Sequence, residues 1–188
     1  MHTDVMFAGF GGQGIMLIGQ MLAYAGMHEG KEVVWLPSYG PEMRGGTAYC
    51  TVVVSDRAIG SPILDHFDSI AVLNRPSLDN FEKRVKPGGL LLINTSLIEI
   101  SSSRTDIVKL EVPANEVALE CGTGKAANMA ILGAYVGFTA AVEPASIEAL
   151  VQKQFARKPK LVEINMKVLE RGLALGRDLA VTASKRSA

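Results

Sequence analysis

Apolar residues along this chain fall into two kinds of run. Short unbroken runs bounded by turn residues lie at 4–8, 32–36, 47–55, 68–74, 90–94 and 106–112. Their length and their wealth of Val, Ile and Leu predict strands covered on both faces. Elsewhere apolar positions recur three and four apart, predicting helices over 14–28, 77–85, 114–120, 125–141, 145–155 and 161–180. In the first, Ile15, Ile18, Leu22 and Ala25 form one stripe and Leu17, Met21 and Tyr24 another, so both sides are covered. In the last, Ile164, Val168, Leu175 and Leu179 share a face and charges fill the others. Asp56-Arg57 reads as a turn, with residues 58–60 pairing back as a short hairpin arm, and Lys86-Pro-Gly-Gly89 as another turn. Strands alternating with helices predict a three-layer α/β/α fold around a mostly parallel, mixed sheet, with a helical C-terminal part. One domain is expected over residues 1–183, with a disordered tail at 184–188.

The strongest local pattern is Gly9-Phe-Gly-Gly-Gln-Gly14, between the first strand and the first helix. Gly9, Gly11 and Gly14 occupy the three glycine positions of a Rossmann-like turn, where the chain bends sharply and an anion can approach backbone N–H groups. A dinucleotide site also needs an acid at the end of the second strand. Here that strand runs into Pro37-Ser-Tyr-Gly-Pro41, and Glu42 comes several residues late. The turn is therefore open to three readings: a tight turn for helix–sheet contact, a site for another phosphate-bearing ligand, or a surface for a partner chain.

Two further stretches attract attention. The loop Ser38-Tyr-Gly-Pro-Glu-Met-Arg-Gly-Gly46 frames one acid and one arginine with glycines and a proline. Arg44 can reach a phosphate or carboxylate in bidentate fashion, with Glu42 holding it. In Asn128-Met-Ala-Ile-Leu-Gly-Ala-Tyr-Val-Gly137, Gly133 and Gly137 are one turn apart, so a neighbouring element can come close. Asn128, at the mouth of this apolar helix, needs a partner when buried. Gly122-Thr-Gly-Lys125 fails as a P-loop, because Leu119 stands where the first glycine belongs and Ala126 where a Ser or Thr would hold magnesium. No arrangement of nucleophile and base is evident.

Composition narrows the classes. The 19 basic and 19 acidic side chains cancel, which argues against nucleic acid or an anionic membrane surface as partner. Mean hydropathy of +0.21 suggests surface hidden against another chain. The longest uncharged run, 126–142, is short for a membrane span, and no signal peptide is expected. Cys50 and Cys121 are far apart in sequence, so the chain cannot by itself supply four cysteines to an iron–sulfur cluster, and both are expected as free thiols. A cytoplasmic protein is expected.

Taken in order, the glycine turn, Pro37–Gly46, Asn128–Gly133 and Lys158-Pro-Lys-Leu-Val-Glu-Ile-Asn165 resemble the gamma subunit of 2-oxoacid:ferredoxin oxidoreductases, the 2-oxoglutarate type above its pyruvate and other ketoacid relatives. The resemblance implies a multi-subunit enzyme that oxidatively decarboxylates a 2-oxoacid to an acyl-CoA and reduces ferredoxin. Thiamine diphosphate, magnesium and iron–sulfur clusters would belong to companion alpha, beta and delta-type subunits, and the isolated chain would be inactive and able to pair as a homodimer. Under this reading Gly9, Gly11, Gly12, Gln13, Gly14, Ser38, Tyr39, Gly40, Glu42, Arg44, Gly45, Gly46 and Asn128 border a coenzyme A passage. Arg44 would be the anion contact, with Gln13 and Asn128 as orienting groups. The alternatives are a stand-alone nucleotide-binding oxidoreductase and a purely structural assembly subunit.

Overall fold

The structure is a computed structural model, and it describes residues 1–38, 47–61 and 63–186. Six strands form one sheet in the order β2-β3-β1-β4-β5-β6. They are β1 (His2–Phe10), β2 (Glu32–Pro37), β3 (Thr47–Ser55), β4 (Phe67–Val72), β5 (Val85–Asn94) and β6 (Val108–Val112). The helices are α1 (Ile15–His28), α2 (Arg75–Phe81), α3 (Ala114–Glu120), α4 (Ala127–Thr139), α5 (Pro144–Phe155) and α6 (Pro159–Arg186), and one 3-10 turn follows α2 at Glu82–Arg84.

The sheet is mixed because β3 runs antiparallel to both of its neighbours, β1 and β2, while β1, β4, β5 and β6 are parallel. The hairpin arm expected at 58–60 is not formed. Both edges of β3 are already paired, from Ser55 opposite His2 and Glu32 onward, so a third arm has no ladder to join. The turn expected at 86–89 becomes an irregularity inside β5. Val85 pairs with Phe67, pairing resumes at Leu90 with Ser69, and Gly88 between them has φ +76°. The C-terminal segment expected as a tail from Ser184 is helical as far as Arg186.

The two faces of the sheet are covered unequally. Val5 and Phe7 of β1 and Cys50, Val52 and Val54 of β3 point to the face carrying α1, α3, α4, α5 and α6. Met6, Ala8, Ile70, Val72, Leu91 and Ile93 point to the other, where Leu78 of α2 and the loop residues Ile98 and Ile107 cover them. The third layer is thus a two-turn helix with its flanking segments. Asn74 starts it, its side-chain oxygen accepting from Ser77 N at 2.9 Å, with Pro76 just inside.

On the thick side α4 and α6 cross backbone to backbone. A Cβ on Gly133 would overlap Leu169 O and lie 2.9 Å from Leu173 N. One on Gly137 would overlap Leu173 O, one on Gly172 would overlap Ala130 O, and one on Gly176 would lie 2.8 Å from Phe138 N. The close approach expected at Gly133 and Gly137 is therefore to α6, which brings its own glycine pair one turn apart. Asn128 and the first turn of α4 are fixed in space by this crossing.

Candidate functional site

β1 and β4 are adjacent and parallel, yet the chain leaves them in opposite directions. From β1 it passes through α1 to β2 at one end of the sheet, and from β4 through α2 to β5 on the other side. Such a switch point opens a crevice beyond the carboxyl ends of the strands, where open α/β sheets bind ligands. A cleft of about 440 Å³ lies there, with Gly12, Gln13, Leu73, Asn94, Lys125 and Asn128 among its walls. Its size suits a small organic ligand or part of a larger one.

The glycines divide their work. Gly9 permits close contact, since a Cβ there would sit 2.5 Å from Ile15 Cδ1 and 2.6 Å from Gln13 Oε1. Gly12 supplies a φ of +93° at an open rim, and Gly11 is exposed beside it in the same turn. Gly14 does both, with a φ of +75° and the Asn128 amide occupying the space a Cβ would need.

Gln13 and Asn128 are both at the cleft, but their amides are committed to the protein. Gln13 Oε1 accepts from Phe10 N at 2.6 Å and from Asn74 Nδ2 at 3.4 Å, while its Nε2 donates to Leu73 O at 3.3 Å. The side chain staples the turn after β1 to the end of β4. Asn128 Nδ2 donates to Gly14 O at 3.3 Å and ties α4 to the start of α1. Asn94, buried at the end of β5, accepts from Ala114 N at 3.2 Å and donates to Asn115 Oδ1 at 3.0 Å, tying β5 to α3. Three carboxamides thus brace the rim.

Ser38 is not brought to this cleft. Its N–H donates to Tyr49 O at 2.9 Å, and it lines a separate groove of about 300 Å³ on the thin face with Leu36, Thr51 and Ile63. Tyr39, Gly40, Glu42, Arg44, Gly45 and Gly46 lie outside the described residues.

Lys125, Asn94 and Asn115 are the residues that sequence reasoning passed over. Gly122-Thr-Gly-Lys125 is no P-loop but the exit of α3: Gly122 N and Thr123 N donate to Leu119 O at 2.9 Å and Ala118 O at 3.0 Å. That turn carries Lys125 to the cleft wall. Only the tertiary arrangement brings it to the same cleft as Gly12.

The amino ends of β1, β4 and β5, at the other end of the strands from the cleft, carry a charged cluster. Lys86 Nζ lies 3.1 Å from Asp4 Oδ2 and 2.7 Å from Asp68 Oδ1. Burial raises the Asp4 carboxyl above its ordinary value, outweighing the hydrogen bonds from Asp68 N–H and Lys86. At Asp68 burial is overcome by hydrogen bonds with Lys86 and Asp4, which hold the carboxyl low. Among the described residues no group of three His, Cys, Asp or Glu side chains is placed to hold a metal ion, and no helix is long and apolar enough to cross a membrane.

Fold and crevice define an open α/β protein with a ligand-type cleft at its switch point. The chain belongs to the pyruvate ferredoxin/flavodoxin oxidoreductase family, whose pattern it matches over residues 4–175. It is 42% identical over 173 residues to the ketoisovalerate oxidoreductase subunit VorA of Methanothermobacter marburgensis, a match covering 91% of this chain and 36% of that one. It therefore spans little more than a third of that relative's length. It is 30% identical over 182 residues to the 2-oxoglutarate synthase subunit KorC of Methanocaldococcus jannaschii, covering 95% of this chain and 96% of that one. The crystal structure of the keto/oxoacid ferredoxin oxidoreductase gamma subunit of Geobacter sulfurreducens superposes with a TM-score of 0.84 at 27% identity, covering 95% of this chain and 98% of that one.

Proposed function

We propose that this chain is the gamma-type subunit of a 2-oxoacid:ferredoxin oxidoreductase, in which the β1–β4 crevice borders the passage for coenzyme A. The observation that carries this reading is the match along nearly its whole length to a subunit of its own size, the 2-oxoglutarate synthase KorC. The chain contributes a braced, glycine-rimmed edge and no evident base or nucleophile, in keeping with chemistry performed on thiamine diphosphate in companion subunits. Iron–sulfur clusters, magnesium and ferredoxin docking likewise fall to those subunits. The resemblance in motifs favours 2-oxoglutarate as substrate, whereas the higher identity to the ketoisovalerate subunit favours a branched-chain 2-oxoacid. We take the substrate to be a 2-oxoacid and leave these two as the pair to be compared.

Gly9, Gly11, Gly12 and Gly14 shape the edge of the passage in this proposal. Gln13 and Asn128 act as positioning residues for it, since their amides are already hydrogen-bonded within the protein. Arg44, with Glu42 beside it in sequence, remains the proposed anion contact from the Ser38–Gly46 loop. The test is to tag the chain in its native host, purify it gently and identify what accompanies it. Co-purification of larger subunits, with CoA-dependent dye reduction on 2-oxoglutarate or 3-methyl-2-oxobutanoate, is expected. A chain that purifies alone and binds NAD(P) or flavin would overturn the reading in favour of an independent oxidoreductase.

A further inference from the structure

We infer that the groove between α1 and α5, together with the basic turn that follows α5, docks an acidic amphipathic helix of a protein partner. The sequence pattern of α1 calls for cover on two sides. Ile15, Ile18, Leu22 and Ala25 find it in the core. Of the second stripe Met21 is buried, but Leu17 is only half-buried and Tyr24 is 45% exposed. A groove of about 490 Å³ runs there, with Leu17, Met21 and Leu150 of α5 as its apolar floor. Gln20 Nε2 donates to Tyr24 Oη at 3.4 Å and steadies one wall.

Glu143 N donates to Glu29 Oε1 at 2.7 Å, which sets the start of α5 beside the end of α1. Gln154, near the end of α5, lines the groove with Leu17, near the start of α1. The two helices are therefore antiparallel. The groove follows α1 from Leu17 to His28, about 16 Å or three turns of a helix. An amphipathic helix laid in such a groove is a recurrent mode of recognition.

The charge of the partner follows from what surrounds the groove. His28 and Lys153 line it and no carboxylate does. Arg157, Lys158 and Lys160 come after Lys153 with no acid between them, and all four are exposed. None of these four side chains has a hydrogen bond or ion pair among the described residues, and Glu163, the next acid along the chain, is engaged by Lys167 at 2.6 Å. Lys153 and Arg157 suit the C-terminal end of α5. Lys158 and Lys160 do not suit their place. Lys158 O accepts from Val162 N at 3.2 Å as α6 begins, and the first turn of α6 holds no acid. Cations there meet the positive end of the helix. A chain of zero net charge thus gathers unpaired positive charge at one helix start, against local preference and without compensation of its own, as happens at functional sites. Acidic side chains of a docked helix supply that compensation. A flat bilayer cannot reach Met21 and Leu150 between the two helices, and their aliphatic floor gives bases nothing to stack on.

The test places the photoreactive residue p-benzoylphenylalanine at Tyr24 or at Gln154 of the full chain in its native host, with Arg57 on the exposed loop after β3 as control. Both groove positions are expected to crosslink one segment of another protein, net negative and with apolar residues three and four apart. The double variant Lys158→Asp/Lys160→Glu is expected to cut the yield about tenfold. It is also expected to raise the melting temperature of the purified protein by about 1–3 °C, because acids suit a helix start, so that lost docking is not lost folding. A synthetic peptide of the crosslinked segment is expected to bind the purified protein and to lose about tenfold in affinity when its acids become amides.

Products at the groove no stronger than at Arg57 would overturn the inference. So would a crosslink to lipid, to nucleic acid, to a second copy of this chain or to a segment without net negative charge. A double variant that crosslinks as well as wild type, or melts below it, would overturn it too, as would a peptide indifferent to the loss of its acids.

Discussion

Replacing Gly133 by Ala tests whether the α4–α6 crossing holds the architecture together. The added methyl would overlap Leu169 O and lie 2.9 Å from Leu173 N and 3.2 Å from Gly172 C. Ordinary carbon contacts lie at about 3.5–4.0 Å. The obstructing atoms are helix backbone and cannot rotate aside, so the two helices must separate by about 1 Å. That separation also loosens the contacts at Gly137, Gly172 and Gly176. Overpacking of this kind costs about 1–3 kcal/mol. Alanine recovers about 1 kcal/mol of helix propensity, leaving a net loss of about 1–2 kcal/mol. Urea unfolding followed by circular dichroism measures it as a lower midpoint at constant slope. Gly60→Ala is the control, since nothing lies within 4 Å of its Cβ position and its φ is not positive; it is expected to stay within about 0.5 kcal/mol of wild type. A Gly133→Ala protein as stable as the control would refute the close crossing as described.

Other consequences are open to measurement. Gly14→Ala combines a left-handed residue with a clash at the Asn128 amide, and is expected to lose about 2–3 kcal/mol in thermal melts. Asn128→Ala in the same chain should recover part of that loss, and a strictly additive double mutant would contradict the contact. Lys86→Met strands the buried Asp4 without its counter-ion; the expected loss is about 2–3 kcal/mol at neutral pH, below that of a fully buried pair because Lys86 is 41% exposed. Because the folded Asp4 pKa is raised, the folded state binds the extra proton, so this deficit should shrink as pH falls toward the ordinary carboxyl value of 3.8. A deficit that grew in acid would refute the assignment. Burial pushes the Cys50 thiol up to about 12, whereas Cys121 is half-buried. One thiol should therefore react with a maleimide in the native protein and two in denaturant.

Hydrophobic runs and turn residues located the strands and helices of the described residues, because buried parallel strands need continuous apolar stretches, although the helix expected at 77–85 ends at Phe81 and gives way to a 3-10 turn and the start of β5 at Val85. Where that reading failed, the cause was tertiary. Residues 58–60 have a reasonable local pattern, but β3 has no free edge. Pro87, Gly88 and Gly89 announced a break correctly, yet β4 extends far enough at Phe67 to pair beyond it. Of the candidate residues, Gly12, Gln13 and Asn128 come together at the cleft, and they stand out in the sequence because glycine and carboxamide patterns reflect local constraints. Lys125 does not, because its place follows from how α3 ends and α4 begins. Gly172 and Gly176 escaped notice among the charges of α6, for their only meaning is the helix they meet.

The bracing of the crevice by Gln13, Asn94 and Asn128 is electrically neutral throughout. None of these amides titrates, and none depends on counter-ions. The rim therefore keeps its shape over a range of acidity and salt that would loosen a frame built from ion pairs. The protein has instead placed its ionic cluster of Asp4, Asp68 and Lys86 at the amino ends of β1, β4 and β5, away from the crevice. Salt that screens the ion pairs of Lys86 thus leaves the three carboxamides, and the shape of the crevice, untouched.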